Sequence, residues 1–306
     1  MHLLIGDPQD SCCVNVRDAL EASGHPTRII SNPLVYPSRL EWRLNNEQSA
    51  SRLVWEEEPP VLDDHIAGVL VRNIGWVDPI GWQKDDFTYM QAETYAALLA
   101  WLWSLRCPVV NRYSSSIWYN PQTSLLSWQR LLRRCGLPTL ETLLTNVEQE
   151  ARAFGRSLAQ EGVAGVVYAP LTSPVRYLIT GDKEWSGLAA MQSYAPVCLA
   201  YPHGQAQSVC VVGEHVVWEG EPSPETAMLE QPLRRFAALA GLAFVELALA
   251  LTPKGVCVIA VEPHPHFERF GDAARQQIVE ELVYLLTAEE RSSQTRATQT
   301  VQRSAR

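Results

Sequence analysis

The sequence predicts a protein of mixed α/β and α+β class, an N-terminal parallel α/β unit followed by two α+β units. Three observations carry this prediction. Over about the first 115 residues short apolar strands alternate with helical patterns, which is the rhythm of a parallel sheet. From Val175 onward paired strands separated by short turns take over, which is the rhythm of antiparallel hairpins. The chain has 306 residues, 46% of hydrophobic and 19% of charged types, which is enough apolar material for more than one core.

The elements follow in order. His2–Gly6 is a short apolar strand running into Asp7-Pro8, and Cys12–Ser23 has helical spacing of Val14, Ala19 and Leu20 closed by Gly24. Thr27–Ile30, Arg52–Trp55 and His65–Val71 read as strands, Phe87–Leu105 as a long helix and Pro108–Val110 as the next strand. A second unit opens at Asn120-Pro121 with a helix over Thr123–Arg134, whose apolar side is Leu125, Leu126, Leu131 and Leu132 and whose stop is Gly136. Strand Glu141–Thr145, helix Val147–Gln160 and strand Val163–Tyr168 come next. Val175–Ile179 and Val197–Tyr201 precede a hairpin, Ser208–Val212 with His215–Glu219, around Gly213-Glu214. A helix over Pro224–Ala240 leads to a second hairpin, Ala243–Leu251 with Gly255–Val261, and a last helix spans Asp272–Leu286. The tail, Glu289–Arg306, is rich in Ser, Thr, Gln and Arg and is expected to be disordered. The change of rhythm marks boundaries near 112–120 and near 162, and the units are expected at 1–115, 116–195 and 196–288, with 289–306 as the tail.

The net charge of −9 repels phosphate backbones and anionic lipid, so binding of nucleic acid or a membrane surface through a global basic face is disfavoured. The seven cysteines are odd in number, lack CxxC spacing and sit partly inside apolar runs, the pattern of buried free thiols in a reducing cytoplasm. The longest apolar run, Tyr95–Leu105, is about half a membrane span, and the N-terminus lacks the pattern of an export signal. A cytoplasmic protein is expected. No GxSxG, GxxxxGK[ST] or GxGxxG sequence occurs, which removes the common hydrolase, P-loop and dinucleotide readings.

Four stretches carry a family resemblance. They are Val109-Val110-Asn111-Arg112 with Asn120-Pro121 and Gly136-Leu137-Pro138-Thr139; Gly165–Leu171; Val209–Glu219; and Phe244-Val245-Glu246-Leu247 with Val258–Pro265. Their order resembles the ATP-grasp superfamily, in particular its glutathione synthetase and ribosomal-protein glutamate ligase branch, over nearly the whole chain to about residue 288. The resemblance implies two α+β subdomains enclosing a cleft, ATP and Mg2+ as cofactors, and joining of a carboxylate to an amine through an acyl-phosphate. Phosphoryl transfer is mostly positioning and charge neutralisation, hence the family's two phosphate-binding lysines and its acidic or amide magnesium ligands.

The sequence departs from that pattern where charge is needed. The strand lysine appears as Ala169, the arginine at the start of the hairpin strand as Ser208, and the hinge carboxylate as Ala200 or Tyr201. The final glutamate-x-asparagine pair appears as Ala260-Val261-Glu262. Glu246 and Glu262 remain as metal-ligand candidates; a register shifted by two makes Glu262 the glutamate and His264 the asparagine. The family's glycine-rich lid falls at 180–187, where Lys183 is the candidate replacement cation, though a lone lysine in a polar loop is more often simply solvated. Arg130, Arg133 or Arg134 can lie near the nucleotide, and Tyr201 is the hinge candidate.

Other constellations have competing readings. Arg72 and Arg112 each end a parallel strand, so they can clamp a substrate carboxylate together; pairing with Asp78, Asp85 or Asp86 explains them nearly as well. Glu262, His264 and His266 alternate along the chain and can converge on a substrate or metal, but Pro263 and Pro265 favour an exposed turn. Ten tryptophans, among them Trp101, Trp103, Trp118, Trp128 and Trp185, are assigned to packing rather than to a partner surface.

The resulting expectation is an ATP-grasp-like protein that keeps the fold and has lost the catalytic cations. It would serve as a binding or scaffolding subunit of a biosynthetic or peptide-modifying system, with a protein or peptide partner and a homodimer as candidate assemblies. No catalytic residue is assigned. The alternative is a divergent ATP-dependent carboxylate-amine ligase supplied by Lys183, Arg130, Arg134, Glu246 and Glu262. A third reading is a two-domain α/β ligand-binding protein unrelated to ATP.

Overall fold

The computed structural model describes residues 1–35, 37–46, 49–55, 59–72, 81–112, 117, 125–171 and 175–288. The loop after Arg72, the Asn120-Pro121 entry with Thr123, Trp118, and the tail 289–306 lie outside the described residues.

Strands β1 (His2–Ile5), β2 (Thr27–Ile30), β6 (Gly68–Val71) and β7 (Val109–Val110) form a parallel sheet in the order β2-β1-β6-β7. All four residues of β1 are buried, as are all four of β6, because helices cover both faces of such a sheet. Helix α1 (Ser11–Ala22) starts where the Asp10 carboxylate accepts the Cys13 N–H. It buries Cys12, Cys13, Val16 and Leu20, which pack with Ile278, Val279, Leu282 and Leu286 of the last helix. Helix α2 (Lys84–Ser104) packs Leu98, Trp101 and Leu102 in the core on the other side.

The N-terminal unit is not wholly parallel. Strands β3 (Ser38–Leu44), β4 (Ser49–Trp55) and β5 (Val61–Leu62) form a separate antiparallel sheet. Only the end of β4 is anticipated from the sequence, because β3 reads SRLEWRL and its charges pair on an exposed face, Arg43 and Arg52 both with Glu41. Ser51, Leu53 and Trp55 face inward, and the Trp101 indole N–H donates to the Ser51 hydroxyl at 2.9 Å.

Helix α3 (Leu125–Cys135) ends at Gly136, whose φ of +80° closes the helix in the left-handed region. It is followed by β8 (Thr142–Thr145), α4 (Glu148–Gln160), β9 (Val166–Tyr168), β10 (Tyr177–Ile179), α5 (Asp182–Gln192) and β11 (Val197–Ala200). Their antiparallel sheet has the order β10-β9-β11-β8. The stretch expected to be a glycine-rich lid is in part helix: Gly181 is the N-cap of α5, and the Glu184 carboxylate accepts the Gly181 N–H. Asp182 and Glu184 in the first turn favour that helix through its dipole.

A fourth sheet has the order β13-β12-β14-β15, from β12 (Ala206–Val212), β13 (His215–Trp218), β14 (Phe244–Thr252) and β15 (Gly255–Glu262). The helix expected over 224–240 is split into α6 (Pro224–Ala227) and α7 (Glu230–Ala240). Pro232 explains the break, since its ring opposes a helical carbonyl at Met228. Helix α8 (Asp272–Leu286) closes the chain. Along β14, Val245, Leu247 and Leu249 pack with α7 and α3, whereas Ala248 and Ala250 turn to the central sheet. Glu246 lies on the same side as those alanines by strand alternation.

Candidate functional site

The carboxyl ends of β1, β6 and β7, where parallel α/β sheets bind ligands, meet the loop that follows β15. Asn111 holds the junction. It is buried, its φ is +59°, and its side chain bridges the Phe244 backbone, donating to the carbonyl at 2.6 Å and accepting the N–H at 2.9 Å. Arg72 is also buried. Its guanidinium contacts the Asp10 carboxylate at 3.3 Å and donates to the Pro265 carbonyl at 2.9 Å. His264 Nδ1 donates to the Arg72 carbonyl at 2.6 Å, and the Ser11 hydroxyl donates to the Glu268 carboxylate, holding it below the usual carboxylate range. Burial holds the His264 imidazole below its ordinary value.

This loop delivers three groups to Glu246, whose side chain is fully buried. Oε2 accepts the His266 backbone N–H at 2.6 Å and faces His266 Nδ1 at 3.2 Å. Oε1 accepts Arg269 Nη1 at 3.1 Å and the Ser208 hydroxyl, from β12, at 2.8 Å. Glu262 is the cross-strand partner of Glu246, and Ala260 that of Ala248. Burial raises the Glu262 carboxyl, while His266, Arg269 and Arg176 oppose the rise.

A carboxylate offers about four lone-pair sites. The contacts from Ser208, Arg269 and the two nitrogens of His266 take all of them. Mg2+ demands near-octahedral oxygen coordination, and Glu246 has no lone pair left to give it. Among the described residues no group of three or more His, Cys, Asp or Glu side chains is placed to hold a metal ion. The residues present do not fit a resident magnesium.

The other sequence-derived candidates fall in several places. Arg112 donates to the carbonyls of Leu105 and Cys107 and lies 5.6 Å from the Trp103 ring, so it caps the end of α2 instead of meeting Arg72 at a shared carboxylate. Lys183 is exposed on the first turn of α5, and Arg130 and Arg134 are exposed on α3. Tyr201 is buried, with the Lys254 ammonium 5.4 Å from its ring, and Lys254 pairs with Glu141 and Glu161. Val166, Leu199 and Tyr201 of the central unit share one buried cluster with Ala248, Ala250, Cys257 and Ile259 of β14 and β15. The central and C-terminal sheets thus pack side chain to side chain through this cluster.

No protein-family model matches the sequence, and no curated protein matches it. Solved structures do match the fold. The macrocyclase MdnC from Microcystis aeruginosa MRC, bound with precursor peptide MdnA, superposes with a TM-score of 0.75 at 14% identity, over 94% of this chain and 99% of that one. A Chryseobacterium gregarium RiPP-associated ATP-grasp ligase, in complex with ADP and a leader and core peptide, superposes with a TM-score of 0.72 at 14% identity, over 94% and 96% of the two chains. The chain has the ATP-grasp fold. The ATP-grasp ligase PsnB, complexed with minimal precursor, Mg and ADP, matches with a TM-score of 0.68 at 19% identity, over 93% of this chain and 98% of that one. Within the ATP-grasp fold, then, this chain presents Ala169 at the end of β9, Ser208 on β12 and Ala260 on β15, none of which carries a charge.

Arg269 and Ser208 escaped the sequence reading as partners of Glu246. Ser208 registers in the sequence only as a missing arginine, and Arg269 sits in a Phe-Glu-Arg-Phe run without a motif. No helix among the described residues is long and apolar enough to cross a membrane.

Proposed function

We propose that this chain is a non-catalytic ATP-grasp-fold subunit of a peptide-modifying system, binding a peptide or an active partner enzyme instead of ligating its own substrate. One observation carries the reading. The acidic residue in the place of the family's first metal ligand, Glu246, spends its whole acceptor capacity on Ser208, His266 and Arg269. Ala169 and Ala260 at two further charge positions of the resemblance support the same reading, as does the apolar packing between the central and C-terminal sheets. A peptide is favoured as the partner because MdnC was solved with a precursor peptide, the Chryseobacterium ligase with a leader and core peptide, and PsnB with its minimal precursor. The units 1–115, 116–195 and 196–288 are then one N-terminal lobe and two lobes that pack on each other.

Phosphate release measured with ATP, Mg2+ and peptide libraries tests this reading. The expected result is a rate equal to the buffer blank in every mixture. A Mg2+-dependent rate that Glu246→Ala abolishes would establish the divergent ligase instead.

A further inference from the structure

We propose that Arg269 stands where a divalent cation would otherwise neutralise Glu246, so that Arg269 and His266 keep the acidic pair Glu246 and Glu262 free of metal. The inference deepens the non-catalytic reading and rests on it for the statement that no metal is needed there.

The geometry separates what positions the loop from what neutralises the acid. The clasp made by Arg72 on Pro265, His264 on Arg72 and Ser11 on Glu268 fixes the segment 264–268 without using Glu246. That clasp leaves Arg269 at the end of the 3-10 turn Phe267–Arg269, directed at the one fully buried carboxylate of the β14-β15 hairpin. A buried carboxylate needs an opposite charge. The guanidinium supplies it at 3.1 Å, and His266 adds two N–H contacts to the other oxygen. The side chains of Arg269 and His266 are half exposed, at 50% and 47%, so they approach Glu246 from the solvent side, the route by which an ion would enter. Glu262, across the strand pair from Glu246, is the second carboxylate whose ionisation the charges of the same two side chains favour. Removing both side chains frees one lone pair on each Glu246 oxygen, and the neighbouring Glu262 supplies further oxygen.

The experiment titrates Mn2+ alone and reads the free-ion signal by electron paramagnetic resonance. Wild-type protein is expected to show no binding that depends on Glu246. Arg269→Ala/His266→Ala is expected to bind Mn2+ at least about tenfold more tightly than wild type, and adding Glu246→Gln should abolish the gain. A Glu246-dependent Mn2+ site in wild type, or no gain in the double variant, overturns the proposal. Should the double variant fail to fold, Arg269→Lys and Arg269→Gln are compared by melting temperature. The lysine variant, which keeps the charge, is expected to melt near wild type and the glutamine variant clearly below it; equal melting of the two overturns the proposal. ATP turnover by the wild-type protein would contradict the non-catalytic reading while leaving the Mn2+ comparison to decide the role of Arg269.

Discussion

Glu262 shows how one residue's chemistry is set by what folds over it. Burial raises its carboxyl above the ordinary 4.5, the partial opposition of His266, Arg269 and Arg176 notwithstanding. The native state therefore holds this proton more firmly than the unfolded chain does. The group's stabilising contribution is complete below pH 4.5 and is lost as pH rises through the native value. Glu262→Gln carries no charge at any pH, so it is expected to match wild type at about pH 4 and to exceed it in stability at about pH 7, in paired denaturant melts. A variant less stable than wild type at about pH 7 would mean that the Glu262 charge is needed by its cationic neighbours. At this scale the sequence was half legible. Glu246, Glu262, Arg72 and His264 are each conspicuous in it, but their partners lie far along the chain, as Arg72 and Pro265 do across 193 residues. Cys12 was legible as a buried thiol, and burial pushes it up to about 12.

At the scale of elements, strands flanked by helices were read to within a few residues because their apolar runs are short and cleanly bounded. The helix over Asp272–Leu286 is one such case, with Gly271 before it and a stripe of Ile278, Leu282 and Leu286 within. Failures came where tertiary contacts decide. Strand β3 has a polar face turned to solvent, and the segment after Gly181 became helix because Glu184 caps it, although the family resemblance implied a glycine-rich lid there. Close approach between elements is another feature that composition hides. A Cβ on Gly68 of β6 would lie 2.7 Å from the Leu286 carbonyl oxygen at the end of α8 and 3.0 Å from the His2 ring. Gly68→Ala is therefore expected to destabilise the protein by about 2 kcal/mol, because backbone, not a flexible side chain, must move. Chemical denaturation measures it. An unchanged midpoint would mean that β6 and the end of α8 are farther apart than described.

At the scale of the molecule, three of the four sheets among the described residues are tied together by polar contacts at one junction and apolar contacts at another. Asn111, Arg72 and His264 join the N-terminal and C-terminal sheets, and the cluster around Leu199, Tyr201 and Ile259 joins the central and C-terminal ones. The order of these sheets was legible from the change in strand rhythm. Their mutual packing was not, because Ala248, Ala250 and Ala260 are small residues whose sequence says nothing of what covers them. The molecule is an ATP-grasp fold in which Glu246 is satisfied from within by Arg269, His266 and Ser208. Thermal-shift titration of wild-type protein with ATP and ADP, each with and without Mg2+, beside Glu246→Ala, tests whether that satisfied carboxylate leaves room for a metal–nucleotide complex. A ligand at about 100-fold excess over its Kd stabilises the folded state by about 2.7 kcal/mol, an easily measured shift. No Mg2+-dependent shift is expected at millimolar nucleotide, and Glu246→Ala is expected to be less stable by about 1–3 kcal/mol because its donors lose their acceptor. A Mg2+-dependent shift in wild type that disappears in Glu246→Ala would contradict that expectation.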